Sequence, residues 1–169
     1  SVKTLIRGLV MTRTYQMSSD FSAANFTIDP DNKFLWRATP RRLDAEALRD
    51  SMLATSGQLD LTRPVGSAVS QHGDDEMGRR GSPNLLQNLP PCRSVYLPAI
   101  RVGLDELIQL FGGAVPNTVL GHRDRTNVAG QALYMMNSPL IMEQSDHFAE
   151  LIQQKASNMR DQISFGFIQ

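Results

Sequence analysis

DPDNKFLWRATPRRLDAEALRDSMLATSGQLDL, residues 29–61, is the stretch whose reading decides the fold. A turn at Asp29-Pro30-Asp31-Asn32 opens it, because Asp, Pro and Asn supply the turn dihedrals and bond their own backbone. Phe34, Leu35 and Trp36 follow as an apolar anchor before Pro40. A helix is then expected from about Leu43 to Ser56, with Leu43, Ala47, Leu48, Met52 and Leu53 as its core face. Asp44 and Glu46 fall in the first turn, where the helix dipole favours anions. Gly57 is a left-handed stop.

The same periodicity repeats outward. Leu5, Ile6, Leu9, Val10 and Met11 form one helical stripe within residues 3–17, ended by Ser18, Ser19 and Asp20. Residues 20–33 read as a polar connector. Residues 62–93 are rich in Gly, Ser and Pro and have little period, so they are expected to be one long loop, with at most a helical turn over 84–89. SVYLPAIR (94–101) is the best strand candidate, demoted to an edge by Pro98. Short helices are expected over 104–111, closed by Gly112-Gly113, and after a cap at Asn127, carrying Val128, Ala132, Leu133, Met135 and Met136. Ser138-Pro139 is a helix start signal. The helix after it runs to about Asn158, with Leu140, Ile141, Phe148, Leu151 and Ile152 inward. Residues 163–168 read as the beginning of a further element. The fold class is mainly α: an irregular helical domain with one long loop excursion and at most a minor sheet.

A chain of 169 residues fits a single domain spanning 1–169, large enough to remove roughly 70% of its unfolded surface from water. It is expected to be a piece of a longer protein. Its 17 basic and 17 acidic residues cancel, which argues against a nucleic-acid or anionic-membrane binder that works by charge. One cysteine, Cys92, excludes an internal disulfide framework and a Cys-rich metal site; it reads as a small structural residue. The eight methionines read as core filler. No run of ~18 apolar residues is present to span a membrane.

No nucleophile elbow, phosphate-binding glycine loop or haem attachment motif occurs. Four constellations remain. His72, Asp74, Asp75 and Glu76 can hold a hard cation or form a solvated acidic loop. His122, Arg123, Asp124 and Arg125, between a glycine turn and a helix start, can clamp a carboxylate, phosphate or sulfate; the structural alternative is Asp124 pinning the turn through a neighbouring arginine. Glu143, His147 and Glu150 share a helix face, short of a zinc set. Arg41, Arg42 and Arg49 beside Trp36 can make a cation–π and salt-bridge knot.

LVMTRTYQMSS (9–19), the 29–61 stretch, RSVYLPAIR (93–101) and GHRDRTNVAGQALYMMNSPLIMEQS (121–145) stand in this order. Together, over about residues 1–150, they resemble domain of unknown function fifteen-fifty-three, the planctomycete cytochrome-associated C-terminal domain. The resemblance implies an exported bacterial parent, periplasmic or at the cell surface, working in redox or polysaccharide breakdown. It implies that haem, if any, lies in a neighbouring domain rather than in this chain. It carries no catalytic residue. Pro40 and Gly130 depart from the family pattern, and 62–92 is its variable region. The leading expectation is an accessory domain that packs against neighbouring domains of its parent. The rival is a glycan- or anion-binding or hydrolytic domain with its site at Arg41, Arg42 and His122–Arg125.

Overall fold

The computed structural model describes residues 1–66, 89–98, 105–114, 118–123 and 126–168. Among them are seven α-helices and no strand, so the chain is mainly α. They fall into two compact units, Ser1–Arg42 and Leu43–Gln169.

The first unit begins with α1 (Val2–Val10). The helix stops well short of Ser18 because side chains take its last carbonyls. Thr12 Oγ1 donates to Leu9 O at 2.7 Å and Gln16 Nε2 to Val10 O at 3.2 Å, a competition that favours turns over continued helix. A second helix, α2 (Ala23–Ile28), occupies part of the expected connector. Ser22 Oγ caps it by accepting from Asn25 N. Only six residues long and without an apolar stripe, it carries no periodic signal.

The expected turn at 29–32 is present and is built around Asp29, which is buried. Its carboxylate accepts from Lys33 N at 2.9 Å and Phe34 N at 2.8 Å, and its carbonyl from Trp36 Nε1 at 2.9 Å. Asn32 and Leu35 take left-handed φ values of 54° each to close this loop. The closure turns Phe34 and Leu35 outward, so of the expected anchor only Trp36 is half-buried. The cation over the Trp36 ring is Arg37, at 4.8 Å from its centroid. The knot expected from Arg41, Arg42 and Arg49 is thus built on a different arginine.

The second unit contains α3 (Ala45–Thr55), α4 (Glu106–Leu110), α5 (Ala129–Asn137), α6 (Pro139–Lys155) and α7 (Met159–Ile168). Helix α3 packs on α4 and α6, α4 on α5, and α6 on both α5 and α7. Ala45, Leu107 and Ile108 form the core, with Met52, Phe111, Tyr134 and Leu140 against it. Gly57 ends α3 with φ 76° and Gly112 ends α4 with φ 77°, the left-handed stops that a Cβ disfavours. Pro139 opens α6 at its first helical position. Val128, not Asn127, precedes α5; Gln131 Oε1 accepts from Val128 N and its Nε2 donates to Leu110 O at 2.9 Å. Asn158 lies beyond α6 and caps α7 instead, its Oδ1 accepting from Asp161 N at 2.9 Å. The apolar run 163–168 is the second half of that helix.

Three expectations are corrected here. The innermost line of α3 is Ala45, Arg49 and Leu53, while Leu43 and Ala47 are exposed and Leu48 and Met52 half-buried. The expected strand at 94–101 is, over its described part, a 3-10 turn at Ser94–Tyr96. Ser94 N donates to Asp50 Oδ1 at 2.7 Å and Leu97 N to Ser94 O at 3.1 Å, so those donors are spent locally; residues 99–101 lie outside the described part. Most methionines among the described residues are not core filler: Met11, Met135, Met136, Met142 and Met159 are exposed, while Met52 packs against the core.

Arg49 explains the first two corrections. It is 2% exposed. Its Nη1 donates to Cys92 O at 2.9 Å and Ser94 Oγ at 3.3 Å, and its Nη2 to Pro90 O at 2.8 Å. Burial pulls its pKa down, opposed first by the nearby Asp105; an arginine stays charged regardless. The guanidinium fork holds 90–94 in a curve against α3. Beside it, Asp60 N donates to Pro91 O at 2.9 Å, within an isolated parallel bridge between Asp60 and Cys92. Cys92 is buried, in keeping with a structural role.

Candidate functional site

Arg41 and Arg42 are exposed coil residues that close the first unit. His122 and Arg123 belong to the second unit; Asp124 and Arg125 lie outside the described residues.

Arg123 is the best defined of the set. Its guanidinium meets the Glu46 carboxylate side-on, Nη2 to Oε1 at 2.9 Å and Nη1 to Oε2 as the second arm. Glu46 stands in the first turn of α3, so the pair fastens the segment before α5 to the start of that helix. Both side chains are about one-third exposed, at 34% and 32%. The Arg123 hydrogen bond holds the Glu46 carboxyl below its ordinary 4.5, outweighing the opposing effect of burial. The same bond raises Arg123 above its ordinary value. A side-on pair of this kind satisfies the fork that an anionic ligand would need. An incoming carboxylate or sulfate therefore competes with Glu46 for Arg123. His122 is exposed.

The pair gives a pH prediction. A carboxyl whose folded pKa is depressed stabilises the fold above its unfolded value and loses that contribution as pH falls through the folded value. Glu46→Gln is therefore expected to be less stable than the parent at pH 7 and to converge with it well below pH 4.5. Urea midpoints at pH 7 and pH 3 measure this. A constant difference between the two would mean that the pair contributes nothing through its charge.

On α6, His147 lies 4.0 Å from Glu143 and 3.8 Å from Glu150, as the shared face required. The three line the surface of one helix, and no group of three or more potential ligands that could hold a metal ion occurs among the described residues. The His72–Glu76 cluster falls outside them. No described helix is long and apolar enough to cross a membrane.

Three features were not foreseen from sequence: the Arg49 clamp, the Glu46 partner of Arg123, and an open groove of ≈ 330 Å³ between α3, α5 and α6. The groove carried one legible signal. Gln144 interrupts the apolar line Leu140, Phe148 and Ile152 of α6, a polar residue on an inward stripe. It is 8% exposed and its amide contacts Ser56 Oγ at 2.6 Å.

Set against known proteins, the chain matches one family model over residues 1–169, that of PSD1: Protein of unknown function (DUF1553). No curated protein matches it. No solved structure matches it.

Proposed function

The chain belongs to that DUF1553 family, and on that premise we propose that it is an interaction module of a larger exported bacterial protein, one that often also carries a c-type cytochrome domain. The module packs against neighbouring domains of its own parent, and any haem resides in those neighbours. One observation carries this reading. Helix α1 is amphipathic yet buries none of its residues, leaving Leu5, Ile6 and Leu9 at 64%, 53% and 56% exposure. An apolar stripe left open on a nine-residue helix is a contact surface. Covering the exposed part of three such side chains supplies about 1 kcal/mol each, enough to hold a tethered domain whose effective concentration is already high.

The rival, an anion- or glycan-binding or hydrolytic site that includes Arg123, has to displace Glu46 from it. The test separates the two. Co-expression of this chain with the rest of its parent is expected to yield a complex, and Leu5→Asp with Leu9→Asp to weaken it at least tenfold. Both residues are exposed, so the loss reports the interface and not the fold. Undiminished complex formation by the double variant would overturn the reading. A melting-point rise of several degrees with a sulfated or carboxylated sugar, lost in Arg123→Ala, would install the rival.

A further inference from the structure

Helix α1 has an edge with a notch and an edge with charge. Residues three and four apart are neighbours on a helix surface. Gly8 therefore lies between Leu5 and Met11, both exposed, and leaves a gap in one border of the apolar face. On the other border Lys3 and Arg7 stand four apart, beside Ile6 and Val10. Residues 1–19 contain no Asp or Glu. None of Lys3, Arg7 and Arg13 forms an ion pair among the described residues.

Both features weaken α1 by itself. A glycine in mid-helix costs about fivefold in helix stability relative to alanine, and like charges four apart repel. Nothing among the described residues offsets either. Gly8 is not one of the glycines with a positive φ, so its backbone freedom is unused. Beyond its chain neighbours and the backbone of its own helix, no atom lies within 4 Å of where a Cβ on Gly8 would stand. The notch therefore serves no packing among the described residues. What a bare backbone beside an apolar ridge admits is the close approach of a second helix, ridge into groove. A lipid surface gains nothing from such a notch. The basic side chains on the opposite border call for carboxylates on that second helix, since facing potentials in an interface are complementary.

We infer that the partner of α1 is a helix of a neighbouring domain of the parent, crossing α1 with its backbone against Gly8 and carrying Asp or Glu side chains that face Lys3 and Arg7. This rests on the reading of α1 as a docking element and names the chemistry of what docks there.

The test is hydrogen exchange over residues 2–10, read as the ratio of protection in the intact parent protein to protection in the 169-residue protein. The ratio cancels each variant's own effect on helix formation. In the unmodified protein it is expected to be at least tenfold. Gly8→Ala makes α1 a better helix in both, yet the ratio is expected to fall at least threefold, because the added methyl pushes the partner away. Gly8→Leu is expected to bring it close to one. Lys3→Glu with Arg7→Glu sets carboxylate against carboxylate and is expected to lower it at least threefold. A ratio near one in the unmodified protein, or one undiminished by Leu5→Asp with Leu9→Asp, would remove the docking role itself. A ratio lowered by those two changes but kept or raised by Gly8→Ala and Gly8→Leu would leave the docking role and overturn the helix partner. A ratio unchanged by the charge reversal would overturn its carboxylates. Vesicles of phosphatidylcholine and phosphatidylserine are expected to leave exchange over 2–10 of the 169-residue protein unchanged. Protection by them that Gly8→Ala strengthens would assign the face to a lipid surface and overturn the proposal.

Discussion

Arg49→Met is expected to lower stability by about 3–5 kcal/mol, the largest loss from any single polar substitution in the second unit. Methionine roughly refills the volume but donates nothing. The carbonyls of Cys92 and Pro90 and the hydroxyl of Ser94 would lose the fork that reaches them. Cys92 and Ser94 are buried, so their polar atoms gain no water in exchange. At roughly 2–4 °C per kcal/mol for a chain of this size, the melting temperature should fall by about 10 °C or more. Arg49→Lys is expected to recover little, since one ammonium cannot reach acceptors on both sides of a planar fork. A variant melting within a degree or two of the parent would mean that the clamp contributes nothing. Urea unfolding adds a second readout: the midpoint should drop without a change in slope if the whole unit still unfolds together.

Leu107→Ala tests the other half of the same fold. Leu107 is fully buried between Ala45 and Ile108, and Met52, Phe111, Tyr134 and Leu140 pack around that cluster. Truncation removes transfer energy and leaves a cavity walled by α3, α4, α5 and α6, which cannot all close inward. The expected loss is about 2–5 kcal/mol. Leu107→Met, close in volume, should cost less than about 1.5 kcal/mol. If Ala and Met at this position behaved alike in thermal unfolding, the core would not centre on Leu107.

Much of the helical frame is legible in the sequence because its signals are local. Gly57, Gly112 and Ser138-Pro139 each mark a boundary through one residue's own backbone preference. The turn at Asp29–Asn32 is legible for the same reason. What escapes reading depends on partners far along the chain. A core face read from apolar residues alone leaves Arg49 out, since charge reads as solvated; the carbonyls that keep it buried are 41 and 43 residues away. SVYLPAIR has strand composition, yet Asp50 and Arg49 bend its first residues into a turn. Leu5, Ile6 and Leu9 read as core because an apolar stripe announces burial without naming what covers it. Of the candidate site, His122 and Arg123 were singled out by their charge beside a helix start. Glu46 was assigned only to the helix dipole, and its pairing with Arg123 joins positions 77 residues apart. The groove was visible only as one glutamine in the wrong place.

The contact of Asp60 with Pro91 and Cys92, backed by the Arg49 fork, fastens together the two ends of everything between them. Asp60 and Pro91 are therefore held side by side against α3. Beyond a fixed closure, lengthening a flexible segment costs only with the logarithm of its length, about 0.6 kcal/mol per doubling. For an engineer, the same closure fixes where any replacement for that interval has to begin and end: at Asp60 and Pro91, held 2.9 Å apart from N to O.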